Sequence, residues 1–92
     1  MQRILNYKKM NLYIGNLDYS VKEEQLEEMF SEFGEVTLVK IVTDKFTGRS
    51  KGFGFVEMSN DEEANNAIEA LNGKTINNRE LKVNKARPKA DN

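Results

Sequence analysis

Eight residues, Lys51-Gly52-Phe53-Gly54-Phe55-Val56-Glu57-Met58, constrain this chain more than any others. The run is β-prone and alternates with period two, so it reads as a strand. Alternation sends Gly54, Val56 and Met58 to one face and Lys51, Phe53, Phe55 and Glu57 to the other. Large apolar side chains therefore stand on both faces. One face can serve a core. The other carries two phenylalanines that need either a covering layer or a use in the open.

The rest of the chain supplies a partner for one face only. Leu26, Met29, Phe30 and Phe33 fall at i, i+3, i+4 and i+7, the stripe of an amphipathic helix. Ser20 and Glu23 have capping-box spacing before it, and Gly34 stands where a left-handed residue would end it. Ala64, Ala67, Ile68 and Leu71 repeat the spacing in a second helix, with Asn60 as its cap and Asn72-Gly73 at its close. Three further segments read as strands: Asn11–Gly15, Val36–Asp44 and Glu80–Lys85. Residues Lys45–Ser50 form a glycine-containing hairpin loop, in which Phe46 is predicted to pack. The order strand, helix, strand, strand, helix, strand predicts an α+β fold, the ferredoxin-like split βαβ plan. It places two helices on one face of a four-stranded antiparallel sheet. The predicted domain spans residues 10–88, with tails at 1–9 and 89–92.

Composition narrows the function. The chain has 92 residues, no cysteine and no histidine. One small domain without those residues has no thiol nucleophile, no zinc-finger ligands and no histidine base, so neither a metal nor another cofactor is expected. Gly52-Phe53-Gly54 is followed by strand residues and not by a helix N-terminus, so phosphate-loop logic fails and no enzyme is predicted. No apolar run approaches membrane-span length, and the start lacks an apolar core of signal-peptide length. A soluble, cytoplasmic monomer is the expectation.

Net charge is −1, low for a nucleic-acid binder. Its distribution is uneven. Thirteen of the fourteen basic residues and only four acids lie in 1–17, 36–58 and 74–92, where the strands fall. The two helical stretches, 18–35 and 59–73, hold eleven acids and one lysine. Parity puts Asn11, Tyr13 and Gly15 outward on the first strand, Leu38, Lys40 and Val42 on the second, and Lys82 and Asn84 on the last. The face turned away from the helices then shows three rings among lysines. Too little chain follows Lys74 to cover it. Flat rings on a rigid sheet can receive unstacked bases, and cations beside them can meet phosphates. Gly52 and Gly54 keep the strand slim where a nucleic acid would approach.

Lys51–Met58 resembles the octamer signature of the RNA recognition motif family, and Leu12-Tyr13-Ile14-Gly15-Asn16-Leu17 resembles that family's hexamer. The two lie about forty residues apart, on the first and third strands, as in that family. The likeness covers roughly residues 10–88 and is greatest to the short single-domain RNA-binding proteins of bacteria, related to the glycine-rich plant type. It implies that Tyr13 and Phe55 stack on bases, that Phe53 lies against the sugars and that Lys51 bridges to a phosphate. It also implies that backbone groups at Lys85, Ala86 and Arg87 help to read base edges. Met58 departs from the aromatic usual in the family, at a position that parity sends to the core. Asn11, Lys40, Val42, Arg49, Lys82 and Asn84 complete the candidate contacts. Asn16 is predicted to tie the turn after the first strand. Single-stranded RNA is thus the expected partner, with single-stranded DNA and a peptide-recognition role as alternatives. The acidic helix face is left for a protein partner.

Overall fold

The computed structural model describes residues 9–86. Its elements are β1 (Met10–Gly15), α1 (Glu23–Ser31), β2 (Val36–Thr43), β3 (Ser50–Met58), α2 (Asp61–Leu71), β4 (Thr75–Ile76), β5 (Arg79–Glu80) and β6 (Lys82–Lys85). The main sheet has the order β2-β3-β1-β6, antiparallel throughout. One core cluster joins the inward strand residues Leu12, Ile14, Ile41, Val56, Met58 and Val83 to Leu26 and Phe30 of α1 and Ala64, Ala67 and Leu71 of α2. Both helices therefore cover the same face, as the sequence predicts. The alanines of α2 let that helix sit close to the sheet. Met58 is fully buried, as its parity requires.

Local chemistry differs from the prediction at both ends of α1. The capping box does not form. The Ser20 hydroxyl donates to the Asp18 carboxylate, a charge-assisted bond stronger than a cap to a neutral N–H. The cap position of α1 falls at Lys22, whose side chain makes no capping bond. Glu23 turns instead to the edge strand, where its Oε2 accepts the Ile41 N–H at 3.0 Å. Gly34 is not left-handed: α1 ends in a tight turn in which the Phe33 N–H donates to the Phe30 carbonyl at 3.0 Å. Asn60 does cap α2, accepting the N–H groups of Glu62 and Glu63 at 2.8 and 3.1 Å. Gly73, with φ +90°, closes that helix.

The short hairpin of β4 and β5 is a further difference, since the sequence reading starts a single last strand at Glu80. Its turn residues Asn77 and Asn78 both have positive φ, the geometry that joins two strands tightly. Asn16, also left-handed, fastens this hairpin to the end of β1. Its Nδ2 donates to the Glu80 carbonyl at 2.7 Å and its Oδ1 accepts from Arg79 at 2.9 Å. The predicted tie is thus made to a segment sixty-four residues away.

Candidate nucleic-acid interface

Register brings the candidate residues together. Lys40 of β2 stands opposite Phe55 of β3, Phe55 opposite Tyr13 of β1, and Tyr13 opposite Asn84 of β6. These four form one row across the whole sheet, roughly 14 Å long at ordinary strand spacing. Phe53 joins them from the next outward position of β3. The three ring centroids are 5.9, 5.9 and 6.2 Å apart. Tyr13 is tilted 33° to Phe53, and Phe55 stands nearly edge-on to both. Each ring is half-buried, against its neighbours and not within the core. No described element lies over them. Edge contacts of this kind hold the rings in place and leave π-faces available.

Glycine shapes the platform from beneath. A β-carbon on Gly15 would fall 2.7 Å from Tyr13 Oη and 2.8 Å from its Cε2. The Tyr13 ring thus lies along β1 over the space that residue 15 leaves open. The two glycines of β3 have other reasons from the one predicted. A β-carbon on Gly54 would strike the Lys40 carbonyl and the Ile41 Cα, so its smallness lets β2 approach β3. Gly52 has φ +86° and sits where the β2–β3 register shifts between Ile41 and Thr43. It marks a bulge. Lys51 lies within that bulge, between the paired residues Ser50 and Gly54, and has no partner in the β2–β3 register. Lys51 is exposed.

The remaining candidates divide. Lys40, Lys82 and Asn84 are exposed, and Val42 is half-buried. Lys82 pairs with Gly15 on the outward register. Asn11 is exposed and stands opposite Glu57, whose carboxylate accepts from the Thr37 hydroxyl at 2.6 Å and meets Lys9 at 3.5 Å. The Thr37 bond, then Lys9, holds the Glu57 carboxyl below the usual carboxylate range. That end of the face therefore carries a negative group, which the sequence reading leaves without a role. Lys85 pairs with Leu12, on the register of the core-facing residues, so it is not part of the aromatic row. The Ala86 N–H is already engaged, donating to the Asn11 carbonyl at 2.8 Å. Arg87 lies outside the described residues, as do the tail assignments except at Lys9.

The β2–β3 loop is a built turn. The Asp44 N–H donates to the Arg49 carbonyl, and the Gly48 N–H to the Asp44 carbonyl, both at 2.8 Å. Asp44 Oδ1 accepts the N–H groups of Phe46 at 2.7 Å and Thr47 at 3.2 Å. Those bonds, Phe46 first, hold the Asp44 carboxyl below its ordinary value. Arg49 stands exposed at the loop's end. Phe46 does not pack: it is 90 % exposed and has no place in the core cluster, because the turn built on Asp44 holds it in solvent. Among the described residues no group of acids, histidines or cysteines is placed to hold a metal, and no helix is long and apolar enough to cross a membrane.

The RNA recognition motif family model matches residues 12–82. A protein of Nostoc sp. strain PCC 7120, provisionally named RNA-binding protein RbpB, is 52 % identical over 82 residues, covering 89 % of this chain and 80 % of that one. The crystal structure of RNA binding protein PG1 superposes with a TM-score of 0.85 at 44 % identity, over 89 % of this chain and 99 % of that one. The solved Sxl-lethal protein/RNA complex gives a TM-score of 0.79 at 37 % identity, over 84 % of this chain and 47 % of that one.

Proposed function

This chain belongs to the RNA recognition motif family, and from that premise we propose that it binds single-stranded RNA on the sheet face opposite the helices. Tyr13 and Phe55 each take a base, and Phe53 lies against the sugars between them. Lys40, Lys51, Lys82 and Arg49 meet phosphates, while Asn11, Val42 and Asn84 line the path. The last strand and its exit, from Lys85 to Arg87, border the bases. The observation that carries this reading is the row Lys40–Phe55–Tyr13–Asn84, with three rings about its centre and no described element above it. The solved protein/RNA complex of similar fold supports it. The family is one of binding modules and not of enzymes, and nothing in the site needs a cofactor.

Stacking supplies most of the affinity, at ~1–3 kcal/mol for each base. Phe55→Ala and Tyr13→Ala should each weaken binding of a random single-stranded RNA pool by that amount, read by fluorescence anisotropy. Circular dichroism should show both variants folded, since neither ring belongs to the core cluster. Unchanged affinity in both variants would refute the stacking account. A DNA pool run in parallel tests the sugar, because stacking alone does not distinguish the 2′-hydroxyl.

A further inference from the structure

We propose that Phe46, at the tip of the β2–β3 loop, is a fourth base platform that takes a nucleotide beyond those held on the sheet. The assignment rests on the RNA-binding reading above and extends it to a site outside the strands. Phe46 is the most exposed large apolar side chain among the described residues, at 90 %, against 72 % for Tyr19 and 50 % for Leu38. Leaving a phenylalanine in water forgoes its burial energy, and no packing reason for it exists in this turn. The turn itself is fixed. Asp44 closes it at both ends of the loop and binds the Phe46 N–H directly, so the ring stands on an ordered support.

The surroundings suit one kind of partner. Residues 45–51 carry Lys45, Arg49 and Lys51 and no acid, and all three are exposed. None of them makes an ion pair among the described residues. An aromatic ring interleaved with cations matches a base followed by its phosphates. A purely apolar protein partner would leave those cations unpaired. The loop also continues the platform. Phe53 lies three residues from Ser50, where β3 begins, roughly 10 Å along the strand. A strand leaving the sheet past Phe53 toward this end meets the loop next.

The test compares two random-sequence RNA pools, about four and about ten nucleotides long, since one sheet of this kind holds two or three bases. Phe46→Ala should weaken the longer pool roughly 5- to 150-fold and leave the shorter within about 2-fold. Phe46→Trp supplies a single indole in a chain with no tryptophan. Its emission should be quenched by the longer pool and not by the shorter. Equal affinity of parent and Phe46→Ala for both pools would overturn the assignment, as would an equal loss on both. So would an indole signal unmoved at saturation, or self-association that Phe46→Ala abolishes without changing RNA affinity. If the parent binds neither pool, or Phe55→Ala and Tyr13→Ala both leave affinity unchanged, the sheet reading fails and the loop site with it. If Phe55→Ala weakens both pools and Phe46→Ala neither, only the loop site fails.

Discussion

At the scale of single residues, two glycines of similar appearance in the sequence have opposite roles. Gly15 leaves room for a side chain, and Gly54 leaves room for a neighbouring strand. A ring can swing aside at the cost of a rotamer, whereas the backbone of β2 cannot yield without breaking register. Gly15→Ala should therefore move Tyr13 off its resting place and lower RNA affinity with little change in stability. Gly54→Ala should cost about 1–3 kcal/mol of folding free energy by overpacking. Urea titration of both variants beside anisotropy separates the two effects. A Gly15→Ala variant that unfolds early but binds normally per folded molecule would refute the assignment. The alternation of side chains along strands makes the rings legible from sequence, because Leu12, Ile14, Val56 and Met58 pin the inward face. It cannot show that Tyr13 lies over position 15, since that depends on a rotamer. Nor can it show that Phe46 stands clear of the protein, since hydrophobicity alone predicts packing.

At the scale of elements, the helices are secured differently. α2 has a side-chain cap in Asn60, and α1 has none. Asn60→Ala should lower stability by about 1 kcal/mol, seen as a smaller urea midpoint at unchanged slope. The cap of α1 illustrates where local reading stops. Ser20 and Glu23 have the required spacing, yet Asp18 takes the serine and the edge strand takes the glutamate. Both competing partners are properties of the folded arrangement, one from a loop turn and one from β2. The bulge at Gly52 is a second limit. Period-two counting reveals neither the left-handed Gly52 nor the two extra residues that β3 carries between its pairings at Gly54 and Ser50. The β4–β5 hairpin was encoded by Asn77-Asn78, a pair suited to left-handed turns, but its strands are only two residues each. Segments that short carry no periodic signal.

At the scale of the whole molecule, the four strands and two helices emerge from amphipathic spacing because each helix has one apolar stripe and the sheet needs covering on one side only. The affinity for RNA should show a shallow dependence on salt. Roughly 2–4 phosphate contacts at ~0.7 each for a single strand give a log–log slope between about −1.4 and −2.8. A slope steeper than about −5 would show that charge and not stacking dominates. The acids of α1 and α2 lie behind the sheet and most of the cations lie on its strands and loops. Such a body is an electric dipole despite its near-zero total. Near a polyanion it experiences a torque before it feels net attraction, and that torque turns the aromatic side forward. Collisions that begin helix-first are thereby corrected in flight, so a protein of net charge −1 can dock on RNA faster than its overall charge allows.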